Sequence, residues 1–222
     1  GLAEMHAHIP VPSEAGDAIV RETMMLWLAN GITTVRGMLG APYHLQLKEQ
    51  VETGAILGPR IYTSSPSLNG KTVQSEDDAR IKVVQYALAG YDFLKIHPGI
   101  QLEHFSILAE TADREKIRFA GHVPLEAGIR RALAARYASI DHIDGYLEGL
   151  VEENEETEAG SNGFFGMGYV DIADRSKIQD LALMTKEQQV WVVPTQSLMV
   201  RWPSPTLPDM MVSQSPETRY MD

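Results

Sequence analysis

Apolar residues gather along this chain in short runs of strand length. Between the runs they recur at the three- and four-residue spacing of a helix. The runs fall at residues 2–9, 33–38, 60–64, 93–98, 118–123, 139–143 and 191–195. The helical stretches fall at 14–29, 43–53, 76–89, 103–114, 125–135 and 176–188. Gly31, Gly54 and Gly90 stand just past three of these stretches, where a left-handed residue ends a helix. The pattern predicts seven strands with six intervening helices. Strict alternation of this kind implies parallel strands joined by right-handed crossovers.

A doubly wound open sheet and an eight-stranded barrel both satisfy that order. The first favours a Gly-rich phosphate loop after strand one, but residues 10–16 read Pro-Val-Pro-Ser-Glu-Ala-Gly. Polar residues recur instead at the ends of several strands, as in a barrel whose chemistry sits at its C-terminal face. The expected fold class is therefore α/β, a (β/α)8 TIM-type barrel, incomplete because about seven strands are present and the count stops one short. Residues 1–222 are expected to form this one partial domain.

Residues 149–175 break the repeat, first acidic and then rich in glycine and aromatics. They are predicted to be an insertion after strand six, either a lid or binding loop or a plain surface excursion. The tail at 202–222, rich in Pro, Ser and Met, shows no clear strand.

A net charge of −11 removes the basic footprint that nucleic acid or an anionic membrane requires. Part of that charge is the run Glu152, Glu153, Glu155, Glu156 and Glu158, the composition of a solvated loop. There is no cysteine, so disulfides and thiolate metal sites are excluded. Any metal is then held by His, carboxylate or a modified Lys, which suits zinc, manganese or iron. Cytoplasmic and periplasmic locations fit equally, and no run reaches the length of a membrane span.

His6-Ala7-His8 lies on the first strand, where residues i and i+2 share a side. Two such imidazoles can take two positions on one metal; the plain alternative is a pair of histidines on a half-buried strand. His122 closes strand five and His142 closes strand six. Each alone is commonly a packed or loop histidine, but four at the ends of strands one, five and six converge on one mouth. Neutral imidazoles around an open position are what a hydrolytic metal needs.

Lys95 sits inside the apolar run Phe93-Leu94-Lys95-Ile96. Burying a cation is costly, so its pKa falls, a partner neutralises it, or it is modified. A neutral amine can react with carbon dioxide to give an anionic carbamate. The expectation is that the side chain enters the histidine space with no carboxylate close by, and the plain alternative is that Lys95 points outward or pairs with a carboxylate. His97 shares its side, with substrate contact and core packing as its two readings. His44 and His104 are expected at the surface. Asp144 is expected either to orient an imidazole or to cap a loop, and Arg36 to pair with a carboxylate near the mouth.

Gly1-Leu2-Ala3-Glu4-Met5-His6-Ala7-His8 resembles the first-strand motif of the amidohydrolase superfamily, and more narrowly its imidazolonepropionase-like and prolidase-like branch. Gly31 through Arg36, Gly54 through Ile61, Phe93 through Ile96, Gly121-His122-Val123-Pro124, Ile140-Asp141-His142 and Val193-Pro194-Thr195 fit strands two to seven in order. The resemblance implies a binuclear site, with two divalent ions, zinc foremost. His6 and His8 would bind one and His122 and His142 the other, bridged by carboxylated Lys95. It implies hydrolysis of amide-type C–N bonds in a dipeptide, an N-acyl amino acid or a cyclic amide. The family's general base, an Asp at the end of strand eight, has no counterpart here and is expected beyond residue 222.

Two alternatives stand beside this. One is a mononuclear cyclic-amide hydrolase or deaminase using His6, His8 and His122 with Lys95 unmodified. Another is a non-catalytic metal-binding or interaction fragment. Seven strands also leave two unpaired edges, which invite association into a homo-oligomer.

Overall fold

The structure is a computed structural model that describes residues 1–14, 16–151 and 162–197. Seven strands alternate with six helices: β1 Leu2–Ala7, α1 Ala18–Ala29, β2 Ile32–Gly37, α2 Pro42–Glu52, β3 Arg60–Leu68, α3 Glu76–Ala89, β4 Phe93–Ile96, α4 Leu102–Glu115, β5 Arg118–Gly121, α5 Gly128–Ala134, β6 Ser139–Asp141, α6 Ile178–Glu187 and β7 Trp191–Val193. All adjacent pairs are parallel and the sheet order is the chain order, β1 to β7.

The sheet is curled almost into a barrel. Parallel strands lie about 4.8 Å apart, so a flat sheet would hold β1 and β6 about 24 Å from each other. Yet His6 Nδ1 of β1 stands 3.1 Å from Asp141 Oδ2 of β6. Arg36 of β2 donates to Ser139 Oγ of β6 at 2.6 Å. Among the described strands, β1 and β7 keep one neighbour each. The structure is thus an incomplete (β/α)8 barrel, as the alternation predicts.

Side chains sort by the two-residue period of each strand. Ala7, Val35 and Ile61 point outward into one apolar cluster with Val20, Met24 and Leu47 of the helices. Leu94, Ile96, Phe119 and Ile140 point outward into a larger one with Val83, Phe105, Leu108 and Leu133. Each such buried side chain contributes about 1.5–3 kcal/mol. The alternate positions, among them His6, Arg36, Lys95, Ser139 and Asp141, therefore face the barrel interior.

The helices have local causes. Ser75 accepts from the Asp78 amide at 3.0 Å, and Glu76, Asp77 and Asp78 fill the first turn of α3, where the helix dipole favours negative charge. Gly90 ends that helix at φ +87°.

Several boundaries differ from expectation. The first helix begins at Ala18, not residue 14, because Ser13 and Gly16 pair across a tight turn. β3 runs on to Leu68 past an irregularity at Ser64–Ser67, since Ser67 and Leu68 still pair with Lys95 and Ile96. β1 ends at Ala7, which leaves His8 just outside it. The tail at 202–222 and the acidic run at 152–158 lie outside the described residues.

Candidate active site

Besides His8, which follows β1, three of the candidate histidines stand one residue past a strand, at the C-terminal face of the barrel. His97 follows β4, His122 follows β5 and His142 follows β6. Their amides extend the sheet ladder: His97 N donates to Leu68 O at 2.8 Å, His122 N to Ile96 O at 3.0 Å and His142 N to Val193 O at 2.8 Å. The backbone positions of these imidazoles are thus fixed by the barrel itself. Gly121 lets His122 approach, since a Cβ at residue 121 would meet Ile96 O at 2.3 Å and its φ is +127°. His142 takes φ +62° and Ile143 φ +58°, a left-handed conformation that costs of order 1–3 kcal/mol for a residue with a Cβ. That turn ends β6 at Asp141, two residues before the end of the expected run at 143.

The rings cluster. His6 lies 5.4 Å from His8 and 4.4 Å from His142, centroid to centroid, and His122 lies 5.0 Å from both His142 and His97. All five line one cavity of about 720 Å³. Hydrogen bonds fix their orientation. His122 Nδ1 donates to Asp144 Oδ2 at 3.1 Å, and the Val123 amide donates to the same oxygen at 3.0 Å. Asp144 therefore fills both roles expected of it, although the imidazole it orients is His122. His142 Nδ1 lies 2.7 Å from Thr195 Oγ1, and His97 Nδ1 lies 2.7 Å from Ser67 Oγ. A ring held through Nδ1 leaves Nε2 for another partner, the arrangement common to metal-ligating histidines.

His6 differs. Its Nδ1 is enclosed and has no hydrogen-bond partner among the described residues. The 3.1 Å approach to Asp141 lacks hydrogen-bond alignment. Among the described residues, however, no three His, Asp or Glu side chains are posed to hold one ion together. Imidazole and carboxylate donors of this kind are chemically suited to a divalent metal.

Lys95 is fully buried, and it is not alone: Asp141 Oδ2 lies 3.5 Å from its Nζ. The expectation of a lysine without a carboxylate is corrected. The sequence offered a signal, because Ser139 and Asp141 are polar at i and i+2 of a buried strand. Asp141 is the hub of the interior. Arg36 Nη2 reaches its Oδ1 at 3.4 Å, and Ser139 Oγ donates to Oδ1 at 3.1 Å. Burial pushes the Asp141 carboxyl up, but His6, Lys95 and Arg36 outweigh it and hold it at about 2. Burial lowers the Lys95 ammonium, and Asp141 offsets part of that. Arg36 thus finds the carboxylate expected for it.

Burial also lowers the imidazoles. His97 falls to about 3, helped by Lys95, His122, His8 and His6, and His142 falls to about 4 beside His6 and His122. Both are neutral at pH 7. His44 is another correction: at 1% exposure it is buried, accepting from the Ala41 amide at 3.1 Å through Nδ1. His104 is half-buried.

The cavity is completed by Asn162, Gly163, Phe164 and Phe165. Phe165 takes φ +52° and lays its ring 5.0 Å from that of His142 and 6.0 Å from that of His122. No periodic signal marks Thr195, Glu148 or Phe165 as neighbours of the histidines.

A seven-stranded parallel barrel with polar residues gathered at its C-terminal face defines the class of the molecule. The model of the amidohydrolase family matches residues 1–203, and the chain belongs to that family. It is similar to the solved structure of a bottromycin amidohydrolase, with a TM-score of 0.65 and 20% identity over 99% of this chain and 47% of that one. It is also similar to a putative prolidase from Bifidobacterium longum, with a TM-score of 0.53 and 27% identity over 64% of this chain and 39% of that one. A Xaa-Pro dipeptidase with methionine bound in its active site gives a TM-score of 0.60 and 18% identity over 95% and 58%. The chain thus spans 39–58% of the length of these three structures. No curated protein sequence matches it. Among the described residues no helix is long and apolar enough to cross a membrane.

Proposed function

We propose that this chain carries the metal-binding face of a hydrolase for amide-type C–N bonds, with dipeptides, N-acyl amino acids or cyclic amides as substrates. His6 and His8 would hold one divalent ion, His122 and His142 a second, and Lys95, as a carbamate, would bridge them. Zinc suits a donor set of imidazole and oxygen. When bound, the ions supply Lewis-acid polarisation of the scissile carbonyl and activate water near neutral pH.

One observation carries the proposal: His6 Nδ1 is enclosed without a hydrogen-bond partner among the described residues, in a cavity shared with His8, His122 and His142. Its one polar neighbour there, among the described residues, is Asp141 Oδ2 at 3.1 Å, off hydrogen-bond alignment, and coordination would give the nitrogen a better partner. Asp144 and Thr195 would keep the His122 and His142 rings turned so that Nε2 faces the ion. Neutral His97 would meet the substrate. Of the three acids at the site, Asp141 at about 2 is too weak a base, and Asp144 is committed to orienting His122 and the Val123 amide through Oδ2. Glu148 lines the cavity and burial raises its carboxyl, but its Oε2 is enclosed. The base would be a residue outside those described. Residues 149–175 would serve as a binding loop, since 162–165 line the cavity.

A mononuclear reading, with His6, His8 and His122 as ligands and Lys95 unmodified, has its own support in the Lys95–Asp141 contact at 3.5 Å. A lysine that shares its proton with a carboxylate has less cause to form a carbamate. Elemental analysis of the complete protein, with a carbon-13 spectrum after labelling with bicarbonate, separates the two. Two ions per chain and a carbamate signal that Lys95→Ala abolishes would support the binuclear site. One ion and no carbamate would favour the mononuclear one. Absence of both metal and amide hydrolysis would leave the fold with a non-catalytic role.

A further inference from the structure

Five imidazoles line the cavity, and the two ions proposed above use four of them. The partner at Nδ1 separates His97 from His122 and His142. His122 Nδ1 faces Asp144 Oδ2 at 3.1 Å, and a carboxylate only accepts. His142 Nδ1 faces Thr195 Oγ1 at 2.7 Å, while that hydroxyl directs its own hydrogen to Val193 O at 3.4 Å. Both rings therefore carry a hydrogen on Nδ1 and keep the Nε2 lone pair, as a metal ligand must.

His97 is held with the opposite polarity. Its Nδ1 lies 2.7 Å from Ser67 Oγ, which also receives the Asn69 side-chain amide at 2.8 Å. Asn69 cannot be turned round, because its Oδ1 accepts the backbone amides of Lys71 at 2.8 Å and Thr72 at 3.2 Å. If His97 donated to Ser67 as well, the hydroxyl would take two hydrogens and its own would find no acceptor among the described residues. With Ser67 donating to Nδ1, all three side chains are satisfied. The ring hydrogen then sits on Nε2, and a ring bearing both hydrogens would keep it there too. A protonated nitrogen has no lone pair for a metal. Among the described residues nothing bonds His97 Nε2, and it is not walled in as His44 Nε2 is. The loop that sets this polarity is tied to the end of β4: His97 N donates to Leu68 O at 2.8 Å and Gly70 N to Pro98 O at 3.2 Å. Thr72 Oγ1 braces it by donating to Ser67 O at 3.1 Å.

We propose that His97 is a catalytic residue that donates Nε2–H to the carbonyl oxygen of the scissile amide, with Ser67 and Asn69 as the positioning residues that fix its tautomer. This rests on the hydrolase reading above and sets the fifth imidazole apart from the ligands. The His97 ring stacks 5.0 Å from that of His122, so the donor stands beside the proposed ligands. When water attacks the carbonyl carbon, the C=O electron pair moves onto oxygen, and a donor already in place stabilises that charge. The hydrogen stays on Nε2. The pair returns as the C–N bond breaks, and the proton lost by water goes to the leaving nitrogen through the base.

The test uses the complete, zinc-loaded protein. Nitrogen-15 spectra of the ring nitrogens read the tautomer and need no turnover. His97, identified by the signals lost in His97→Gln, should show a protonated Nε2. Ser67→Ala should let hydrogen move to Nδ1, and Ser67→Thr should keep it on Nε2. A hydrogen on Nδ1 alone in the unaltered protein would overturn the proposal. His97→Phe should retain its full metal content; loss of an ion would make His97 a ligand and overturn it as well. On the dipeptide of a panel that is cleaved fastest, His97→Phe should lower kcat by about 10²–10³-fold with little change in KM. His97→Gln, which keeps an N–H, should recover part of that loss, and Ser67→Ala and Asn69→Ala should each lower kcat several-fold. An unchanged kcat in His97→Phe would overturn the proposal and leave the hydrolase reading standing. Absence of hydrolysis with Nε2 protonated would overturn the hydrolase reading, and the scissile carbonyl as acceptor, and leave the tautomer and its Asn69–Ser67 support standing.

Discussion

His6 on β1 and Asp141 on β6 stand 3.1 Å apart, although four strands separate theirs in the sheet. That contact exists because the sheet curls, and it puts the first strand's imidazole on the carboxylate that also faces Lys95 and Arg36. The interior of the barrel is therefore a charge network under a layer of histidines, not an apolar plug.

The network sets stability. Asp141 is fully buried and Arg36 and Lys95 depend on it. In the metal-free protein, with Lys95 unmodified, Asp141→Ala should destabilise the fold by about 3–5 kcal/mol, because it strands two buried cations. Adding Lys95→Met should recover part of that loss, since the second change removes one of them. Urea unfolding of both variants measures this. A double variant less stable than the single one would count against the pairing.

Acid should unfold the metal-free protein in two stages. His97 at about 3 and His142 at about 4 lie below the 6.5 of a free imidazole. The unfolded chain takes up those protons first, so stability is full above about pH 6.5 and declines as pH falls toward each folded value. Asp141 at about 2, against an ordinary 3.8, adds a further loss of roughly 2 kcal/mol below about pH 4. Urea midpoints should stay level from pH 8 to about pH 6.5 and fall from there to pH 3, and Asp141→Asn should remove the lower stage. A midpoint that stays level between pH 7 and pH 4 would show that the imidazoles are not held neutral.

Asp144 should matter to metal more than to fold. Its one oxygen orients His122 and takes the Val123 amide. Asp144→Ala should weaken metal binding by about 10–100-fold, read by competition with a chelator. A purely structural role would lower the unfolding midpoint and leave metal affinity unchanged.

Gly121→Ala should be poorly tolerated. The added Cβ would meet Ile96 O at 2.3 Å at a φ of +127°. Strain and overpacking together should cost about 2–5 kcal/mol. Thermal unfolding measures the cost, and metal content shows whether His122 has shifted. An unchanged unfolding temperature would contradict the close approach of β5 to β4 at this point.

The sequence by itself determined the order of elements and much of the candidate site. Alternation of strand-length and helix-length runs is a local property, and parallel pairing with right-handed crossovers follows from it. So does the inward direction of His6 and Lys95, because side chains alternate along any strand. The positions of His122 and His142 at strand ends were legible to within one residue. The tertiary structure decided which residues meet across the barrel. That Asp141 serves His6, Arg36 and Lys95 at once depends on curvature of the whole sheet, and no spacing along the chain encodes it. The burial of His44, expected at the surface, depends on what packs over α2. The left-handed turns at His142 and Phe165 likewise have no signature in residue type, because the surrounding packing, not local preference, holds them there.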